Sequence, residues 1–402
     1  MQVPGRSAVL VAVLTLLSLL LVGCDGSDGS GGEAAEDTGT ATSSSTTPTT
    51  APSTSPEDPL EAQVDEALAG LDRRAQIAQL FVIGVRLDDL DAGDALVDDG
   101  VGGVFLAGRS QAPVEDIAAV TERWQAAVPG PGVWVAVDQE GGAVQTLKGP
   151  GFDRLPSARD QGALPADQLT ALAEGIGTSL AAAGINLDLA PVVDVVPPGT
   201  EAGNAPIGAY GREYGGTPEA VTAAAGTIVG GLSDAGVTAT LKHFPGLGRV
   251  TGNTDDTAVV HDTVTTAQDP QLTVFSTLAD SPAAPFVMAS SAIYDRIDGS
   301  EQAMFSPVVL TDVLRGQLGF DGVVISDDVG NADAVAGVAV GDRAVRFLGA
   351  GGTLVHTVEA SQFEPMVDAV LARAEDDAAF AAVVDAAVRT ALLAKARAGL
   401  LG

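Results

Sequence analysis

The chain has 402 residues, of which 46% are hydrophobic and 18% charged, which is typical of a globular protein rather than a disordered or multi-span membrane protein. Its 20 basic and 53 acidic residues give a formal net charge of −33, and so acidic a surface repels the phosphate backbone of nucleic acids. One cysteine and three histidines exclude an internal disulfide and a Cys/His zinc cluster.

The first 23 residues have the features of an export signal. An apolar run from Ala8 to Val22 follows Arg6 and is shorter than the roughly 20 residues that a membrane-spanning helix needs. The segment ends Leu-Val-Gly before Cys24, which resembles the bacterial lipoprotein signal and implies that Cys24 becomes a lipidated N-terminus. We therefore expect an extracytoplasmic protein, anchored through Cys24 to the outer face of the cell membrane. The alternative is an ordinary signal peptide that contains a cysteine.

Residues 24–59 are rich in Gly, Ser, Thr, Pro and acidic residues and contain almost no apolar ones. Such a segment cannot bury enough apolar surface to offset the entropy of ordering, so we expect a flexible tether without chemistry of its own. Residues 60–402 show no second shift in composition. We expect them to form one catalytic domain.

This domain alternates short β-branched runs with longer stretches of helical periodicity, which indicates repeated βα units rather than a β-sandwich or a helix bundle. Eight strands are predicted, at 81–85, 103–106, 133–137, 185–189, 239–242, 286–289, 323–326 and 353–356. Eight such units in one domain favour a (β/α)8 TIM barrel of the α/β class. A doubly wound open sheet is the alternative.

Helix signals separate the predicted strands. Apolar residues recur at helical spacing over 114–128 and 169–180. Helices are also predicted to begin at Thr217–Pro218 and Ser306–Pro307, where an N-cap residue is followed by proline. Two further helices are expected at about 359–374 and 377–398. In a barrel of this kind the reactive groups lie at the C-terminal ends of the strands.

Charged residues follow three of the predicted strands: Asp138 after strand three, Lys242 and His243 at the end of strand five, and Asp327 after strand seven. Charges directly after an apolar strand must be solvated in a cleft or paired, and a helix cap or structural ion pair is the alternative for each. A cleft with carboxylates on different strands and a Lys/His pair suits sugars, because carboxylates accept hydrogen bonds from hydroxyls and lysine donates to them. Glycoside hydrolysis uses a carboxylate and a proton donor in this way.

Four motifs extend this pattern: DQEGG at 138–142, LAPVVD at 189–194, KHFPG at 242–246 and LGFDGVVISDD at 318–328. Together they resemble glycoside hydrolase family 3, in particular its single-domain bacterial β-N-acetylglucosaminidases, from about Leu71 to Leu401. The resemblance implies a TIM barrel and a retaining exo-glycosidase with Asp327 as its nucleophile. It also implies the residues that hold the sugar, which are Asp138, Arg212, Lys242 and His243.

The chain departs from the family pattern around the proton donor. In the family enzymes the KHFPG motif continues to a second histidine and then to an Asp-Ser-His triplet, whose histidine is the proton donor and whose aspartate orients it. Here Leu247 stands at the second-histidine position and residues 253–255 read NTD, so neither member of that dyad is retained. The segment after Gly142 normally carries two arginines, one of which contacts the sugar, and this chain has Ala143 and Thr146.

Three residues are candidates for the missing proton donor. The ordinary pKa of an aspartate, about 3.9, is too low for a donor at neutral pH, but burial and the charge of Asp327 would raise that of Asp255. Asn253 works against this, because it donates to the ionised carboxylate. Asp256 serves if the loop register slips by one residue, and His261 is a rival donor further along the chain. Two other polar residues near strand ends are expected to be structural, Glu140 and His356.

Two functions of different classes follow. The first is a retaining exo-glycosidase of β-N-acetylhexosaminidase type that acts on cell-wall, peptidoglycan-derived sugars, with Asp327 as nucleophile and Asp255 or a neighbour as proton donor. The second is a catalytically silent or very slow descendant that binds cell-wall glycan. Retention of Asp327 favours the hydrolase, which is our prediction. Loss of the family's Asp/His dyad favours the catalytically silent descendant. The sequence has no nucleotide-binding loop, and we expect no metal or organic cofactor. We also expect a monomer.

Overall fold

The computed structural model describes residues 59–128 and 130–401. The predicted signal peptide, the lipidation site and almost all of the predicted tether lie outside these residues. The described chain begins with helix α1, Pro59–Gly70, which lies one residue earlier than the predicted start of the body. Within the described residues no helix is both long and apolar enough to cross a membrane.

Eight parallel strands form the predicted barrel. They are β1 (Phe81–Arg86), β2 (Gly103–Ala107), β3 (Trp134–Val137), β4 (Leu187–Asp188), β5 (Thr238–Phe244), β6 (Phe286–Ala289), β7 (Val324–Ser326) and β8 (Val355–Thr357). Their order is β7-β6-β5-β4-β3-β2-β1-β8. A parallel bridge from Ile325 on β7 to Leu354 just before β8 brings the two edge strands together. The (β/α)8 architecture is thus confirmed, and the open doubly wound sheet is excluded.

The strand sequences are apolar on both faces because helices cover the outside of the barrel and side chains fill its inside. Trp134 on β3 and Phe286 on β6 pack edge to face, with ring centroids 5.3 Å apart. Since β4 and β5 separate these two strands, the contact crosses the barrel interior. The barrel core is therefore packed and leaves no through-channel at this level.

Strand β4 is shorter than the predicted strand 185–189. The side chain of Asn186 accepts a hydrogen bond from the backbone N–H of Val135 (2.7 Å) and donates to the backbone oxygen of Val133 (3.1 Å). The backbone N–H of Asn186 also donates to the backbone oxygen of Val135 at 3.2 Å, so this residue contacts the β3 segment through both its main chain and its side chain. Leu187 and Asp188 pair in register with Ala136 and Val137, and the Leu189 N–H donates to the backbone oxygen of Val137 at 2.8 Å.

Helices surround the barrel in the expected alternation. They are α2 (Arg73–Ala78), α3 (Gly93–Asp98), α4 (Val114–Ala127), α5 (Ala158–Gly162), α6 (Ala166–Ala182), α7 (Pro218–Asp234), α8 (Leu272–Ala279), α9 (Asp295–Asp298), α10 (Val340–Gly349), α11 (Phe363–Asp376) and α12 (Ala378–Arg397). The predicted cap is present on α7, where the Thr217 hydroxyl accepts the Ala220 N–H. The segment after Ser306–Pro307, Val308–Gln317, is a π-helix rather than the expected α-helix.

Two small sheets lie beyond the C-terminal ends of the barrel strands. Gln139–Gly141 pairs antiparallel with Val144–Gln145 directly after β3. His261–Asp262, Ile293–Tyr294 and Gly299–Gln302 form a three-stranded sheet that joins the loops after β5 and β6. These sheets fix the loops in which the predicted functional residues lie.

Candidate active site

A cavity of about 420 Å³ lies at the C-terminal ends of the barrel strands. This volume is within the range of small-molecule sites, about 300–1,000 Å³. The cavity is lined by all the predicted site residues, which are Asp138, Arg212, Lys242, His243, Asp255 and Asp327. The barrel brings them together because parallel strands deliver their C-terminal ends to one face.

Two cations of the cleft share one buried carboxylate. The Lys242 ammonium lies 2.7 Å from Asp138 Oδ1 and 2.7 Å from Glu140 Oε1. The Arg212 guanidinium donates to both oxygens of Glu140, at 2.9 and 2.8 Å. Burial raises the pKa of Glu140, but the charges of Arg212 and Lys242 outweigh it and hold that pKa at about 2. Glu140 is therefore a structural anion, as expected.

Asp138 is the more accessible of the two carboxylates that contact Lys242, with 26% of its side chain exposed. Its Oδ1 accepts from the ammonium, and Oδ2 has no partner among the residues described. Thr146 donates its hydroxyl and its backbone N–H to the backbone oxygen of Asp138, at 2.8 and 3.0 Å. The residue that replaces a family arginine thus supports the backbone of Asp138.

His243 is oriented by a buried carboxylate. Its Nδ1 lies 2.8 Å from Asp194 Oδ2, and the Asp194 side chain is completely buried. Asp194 Oδ1 also accepts the backbone N–H groups of His243 (3.2 Å) and Leu247 (2.7 Å). Because Nδ1 is engaged, Nε2 is the ring nitrogen left for a ligand in the cleft.

Asp327 follows β7, and its backbone N–H donates to the backbone oxygen of Ala289 on β6 at 3.1 Å. Its side chain is half-buried, accepts the Asp328 N–H at 2.9 Å and forms no ion pair with any described residue. The neighbouring Asp328 differs, since its Oδ1 accepts the N–H groups of Gly330 and Val358 and its Oδ2 that of Asn331. Of these two adjacent carboxylates, Asp327 is the one available to a ligand.

Asp255 lies in the loop after β5, which is fastened to the loop that follows Asp327. The backbone oxygens of Asp255 and Thr254 accept the N–H groups of Asp333 (3.1 Å) and Ala334 (3.2 Å). Asp255 is exposed to solvent, but the protein atoms that surround its carboxyl and the negative charge of Asp327 raise the pKa of that group. His243, Arg212 and the Asn253 side chain oppose this rise without cancelling it. The negative charge of Asp327 thus favours the protonated form of the Asp255 carboxyl.

The two rival proton donors lie outside the lining of the cleft. Asp256 is exposed and accepts a hydrogen bond from the Thr257 hydroxyl at 3.0 Å. His261 is on the three-stranded sheet, with its Nδ1 2.6 Å from Asp295 Oδ1. His356 lines the cleft, and its Nδ1 bonds to the backbone oxygen of Val82 at 3.2 Å, as suits a satisfied barrel residue.

Sequence reasoning missed Arg109. It follows β2, is exposed and lines the cleft, and its Nη1 donates to the backbone oxygen of Gly108 at 2.8 Å. The signal was the same as for the other site residues, a charged residue just past the end of a strand. The buried roles of Asp194 and Asp188 were also missed, because a carboxylate inside an apolar segment does not reveal its partners.

The comparisons with known proteins agree with this geometry. The family model described as the glycosyl hydrolase family 3 N terminal domain matches residues 73–392, which is most of the chain and includes every strand of the barrel. The chain belongs to glycoside hydrolase family 3. It is accordingly a glycoside hydrolase, and its barrel is the TIM barrel of that family.

Individual relatives match most of this chain and differ in how much of their own length is covered. A curated β-hexosaminidase of Stenotrophomonas maltophilia is 35% identical over 315 residues, which cover 76% of this chain and 91% of that protein. The crystal structure of a β-N-acetylhexosaminidase from Beutenbergia cavernae is 47% identical, with a TM-score of 0.77, over 81% of this chain and 98% of that one. A family 3 β-N-acetylglucosaminidase from a Paenibacillus species has 28% identity and a TM-score of 0.72, over 82% of this chain and 63% of that one.

Proposed function

We propose that this family 3 chain is a retaining exo-β-N-acetylhexosaminidase, with Asp327 as nucleophile and Asp255 as proton donor. One observation carries the proposal. Asp327 and Asp255 line the same cavity, and the charge of Asp327 helps to raise the pKa of Asp255. A carboxyl group whose pKa is raised by a neighbouring carboxylate is suited to act as the acid beside a carboxylate nucleophile. The names of the relatives supply the hexosaminidase class.

In the first step an Asp327 oxygen attacks the anomeric carbon, and the bond from that carbon to the leaving oxygen breaks. Asp255 gives its proton to the leaving oxygen, so that the departing sugar leaves as a neutral alcohol. In the second step water attacks the anomeric carbon of the glycosyl ester. Asp255, now a carboxylate, takes a proton from that water, and Asp327 is released as a carboxylate.

The sugar hydroxyls are held by the groups around Lys242. Asp138 Oδ2 is free to accept a hydroxyl proton, while its other oxygen is fixed by the ammonium. His243 offers Nε2, because Asp194 occupies Nδ1. The guanidinium of Arg212 donates Nη1 to the backbone oxygen of Pro206 (2.9 Å) and Nε and Nη2 to Glu140. Three of its five N–H groups are used in this way, and the second N–H on Nη1 and on Nη2 is left for a sugar.

We further propose that the substrate is a cell-wall, peptidoglycan-derived glycan and that the protein acts outside the cytoplasm, anchored by lipid on Cys24. These two proposals rest on the N-terminal signal and on the resemblance to the β-N-acetylglucosaminidase branch of the family. Lipid anchoring would keep the barrel close to the membrane, with residues 25–58 as spacer.

The experiment compares hydrolysis of an aryl β-N-acetylglucosaminide and an aryl β-glucoside by the wild type, by Asp327→Asn and by Asp256→Asn. Asp256 is the matched control, since it is an exposed aspartate of the same loop system that lies outside the cleft lining. We expect the wild type and Asp256→Asn to cleave the aryl β-N-acetylglucosaminide faster than the aryl β-glucoside. The rate of Asp327→Asn should fall to background on both substrates. Background rates for all three proteins on both sugars would reject the hydrolase proposal.

The second candidate function is a silent descendant that binds glycan. The observation in its favour is Leu247, which is 2% exposed, lines the cleft and stands where the family enzymes have a histidine. Binding of N-acetylglucosamine by isothermal calorimetry, together with background hydrolysis, would establish this function instead.

A further inference from the structure

Asp188, the last residue of β4, is a buried carboxyl that the proposed mechanism does not use. It is 1% exposed. Its Oδ1 accepts the backbone N–H of Gln139 at 3.0 Å, and its Oδ2 has no hydrogen-bond partner among the described residues. An ionised carboxylate in such a place would leave one charged oxygen desolvated and unpaired, which is among the costliest arrangements in a protein interior.

None of the groups that face Asp188 is a cation that could pair with Asp188 alone. They are Asp138 and Glu140 from the segment after β3, Lys242 from β5, and Tyr214 from the segment before α7. Lys242 is the cation among them, and its ammonium already lies 2.7 Å from Asp138 and from Glu140. Burial, helped by the negative charges of Asp138 and Glu140, raises the pKa of Asp188 to about 8 against the opposing effects of the Gln139 N–H and Lys242.

The hydrogen bond that the Asp188 carboxyl accepts comes from the backbone N–H of Gln139, in the segment that carries the carboxylates of the sugar site. Gln139 lies between Asp138 and Glu140, the two carboxylates that meet Lys242. Its side chain is fixed to the backbone of Leu147 by two bonds, from Nε2 to the oxygen (2.9 Å) and from the N–H to Oε1 (3.0 Å). Asp188 holds its backbone. Both the side chain and the main chain of Gln139 are thus fixed. This holds the segment in which Asp138 and Glu140 contact the Lys242 ammonium.

We propose that Asp188 is a positioning residue that works as a neutral carboxylic acid, holding the Gln139 peptide so that Asp138 and Glu140 share the Lys242 ammonium. This inference rests on the proposed function, because it concerns the groups that hold the sugar. Ionisation of Asp188 would place a third carboxylate around Lys242 and draw the ammonium away from Asp138. The free oxygen of Asp138 would then lose its orientation, and sugar binding would weaken.

The protonation state is tested without any activity assay. Infrared spectroscopy at pH 7 should show a C=O stretching band of a protonated carboxylic acid that Asp188→Asn removes. Asp262→Asn is the matched control: Asp262 is also 1% exposed, but both its oxygens accept hydrogen bonds, from Val264 and Thr265. Its substitution should leave the band unchanged. A spectrum in which no such band depends on Asp188 would overturn the proposal.

The positioning role is tested by the affinity for N-acetylglucosamine as a function of pH, which requires binding but no hydrolysis. The wild-type affinity should fall as the pH rises through about 8. Asp188→Asn, which mimics the neutral acid in shape, should bind close to wild type at pH 7 and lose this fall. Asp188→Leu should bind roughly tenfold more weakly or worse at every pH. If Asp188→Asn binds as weakly as Asp188→Leu, the residue acts through its charge and the proposal is wrong.

The two tests separate this inference from the proposed function. A wild type that neither binds nor cleaves N-acetylglucosaminides would refute the function, while the infrared band would still report on Asp188. A wild type that binds the sugar with the same affinity from pH 7 to 9.5 would refute the positioning role and leave the function standing.

Discussion

Asp194 Oδ2 lies 2.8 Å from Nδ1 of His243, and the same carboxylate accepts the backbone N–H groups of His243 and Leu247. One buried side chain therefore orients a ring of the cleft and closes the turn that follows β5. Because the His243 ring is itself 93% buried, rotation away from this partner would leave a buried polar nitrogen unsatisfied. The pair accounts for both the tautomer and the direction of His243.

Asp194→Ala should lower activity and stability together. Loss of the carboxylate releases His243 and leaves two buried N–H groups unpaired, so we expect kcat/KM to fall roughly tenfold or more and the free energy of unfolding to fall by about 1–3 kcal/mol. Kinetics and urea unfolding measure the two effects. Asp262→Ala is the control, because it should destabilise the fold similarly and leave kcat/KM near wild type. Equal losses of activity in the two variants would show that the Asp194 effect is only structural.

Asp255 should determine how the rate depends on pH. In the proposed mechanism its protonated form is the acid, and its raised pKa keeps that form present at higher pH than an ordinary aspartate allows. The rate on a substrate with a poor leaving group should therefore decline as the pH rises through this pKa. Asp255→Asn should remove the decline and lower the rate about 10²–10⁴-fold, with little effect on aryl substrates that have good leaving groups. An unchanged pH profile in Asp255→Asn would assign the proton donor elsewhere, and Asp256→Asn serves as the control.

Lys395 should make stability depend on pH. It lies fully buried on α12, where its ammonium donates to Gln79 Oε1 at 2.6 Å, and burial lowers its pKa to about 7. Between pH 7 and the unfolded value of about 10.5, the unfolded chain binds the extra proton, so stability attributable to this group rises with pH.

The measurement is urea unfolding of the wild type and Lys395→Met at pH 7 and pH 9. From pH 7 to 9 the free energy of unfolding of the wild type should gain about 2 kcal/mol relative to the variant. The comparison with the variant removes the contribution of Asp188, whose raised pKa makes stability fall as the pH rises towards about 8. Parallel pH dependences in the two proteins would mean that Lys395 remains charged in the folded state.

Cys24 should determine where the protein is found. If it is lipidated, cells that express the full chain should retain the protein in the membrane fraction and label it with radioactive palmitate. Cys24→Ser should abolish the label and release the protein. A wild type that is released and unlabelled would support the ordinary signal peptide instead.

The amino-acid sequence was sufficient to predict the eight barrel strands and the meeting of Asp138, Lys242 and Asp327. The strands could be predicted because β-branched runs and helical periodicity are properties of consecutive residues. The three side chains could be expected to meet because the parallel strands of a barrel have their C-terminal ends on one face. Strand ends were less predictable. The regular strand β4 covers only Leu187 and Asp188 of the predicted 185–189, although the backbone N–H groups of Asn186 and Leu189 also bond to β3.

Only the tertiary structure decided which charged groups are paired, which are free and which have shifted pKa values. Arg212 and Glu140 are 72 residues apart in the chain, and Lys242 and Asp138 are 104 apart, so no local pattern reveals their contacts. The raised pKa of Asp188 and the lowered pKa of Lys395 arise from burial, which depends on how distant segments pack. The sequence specifies the chemical groups, but their proton affinities and their access to a sugar are properties of the folded barrel.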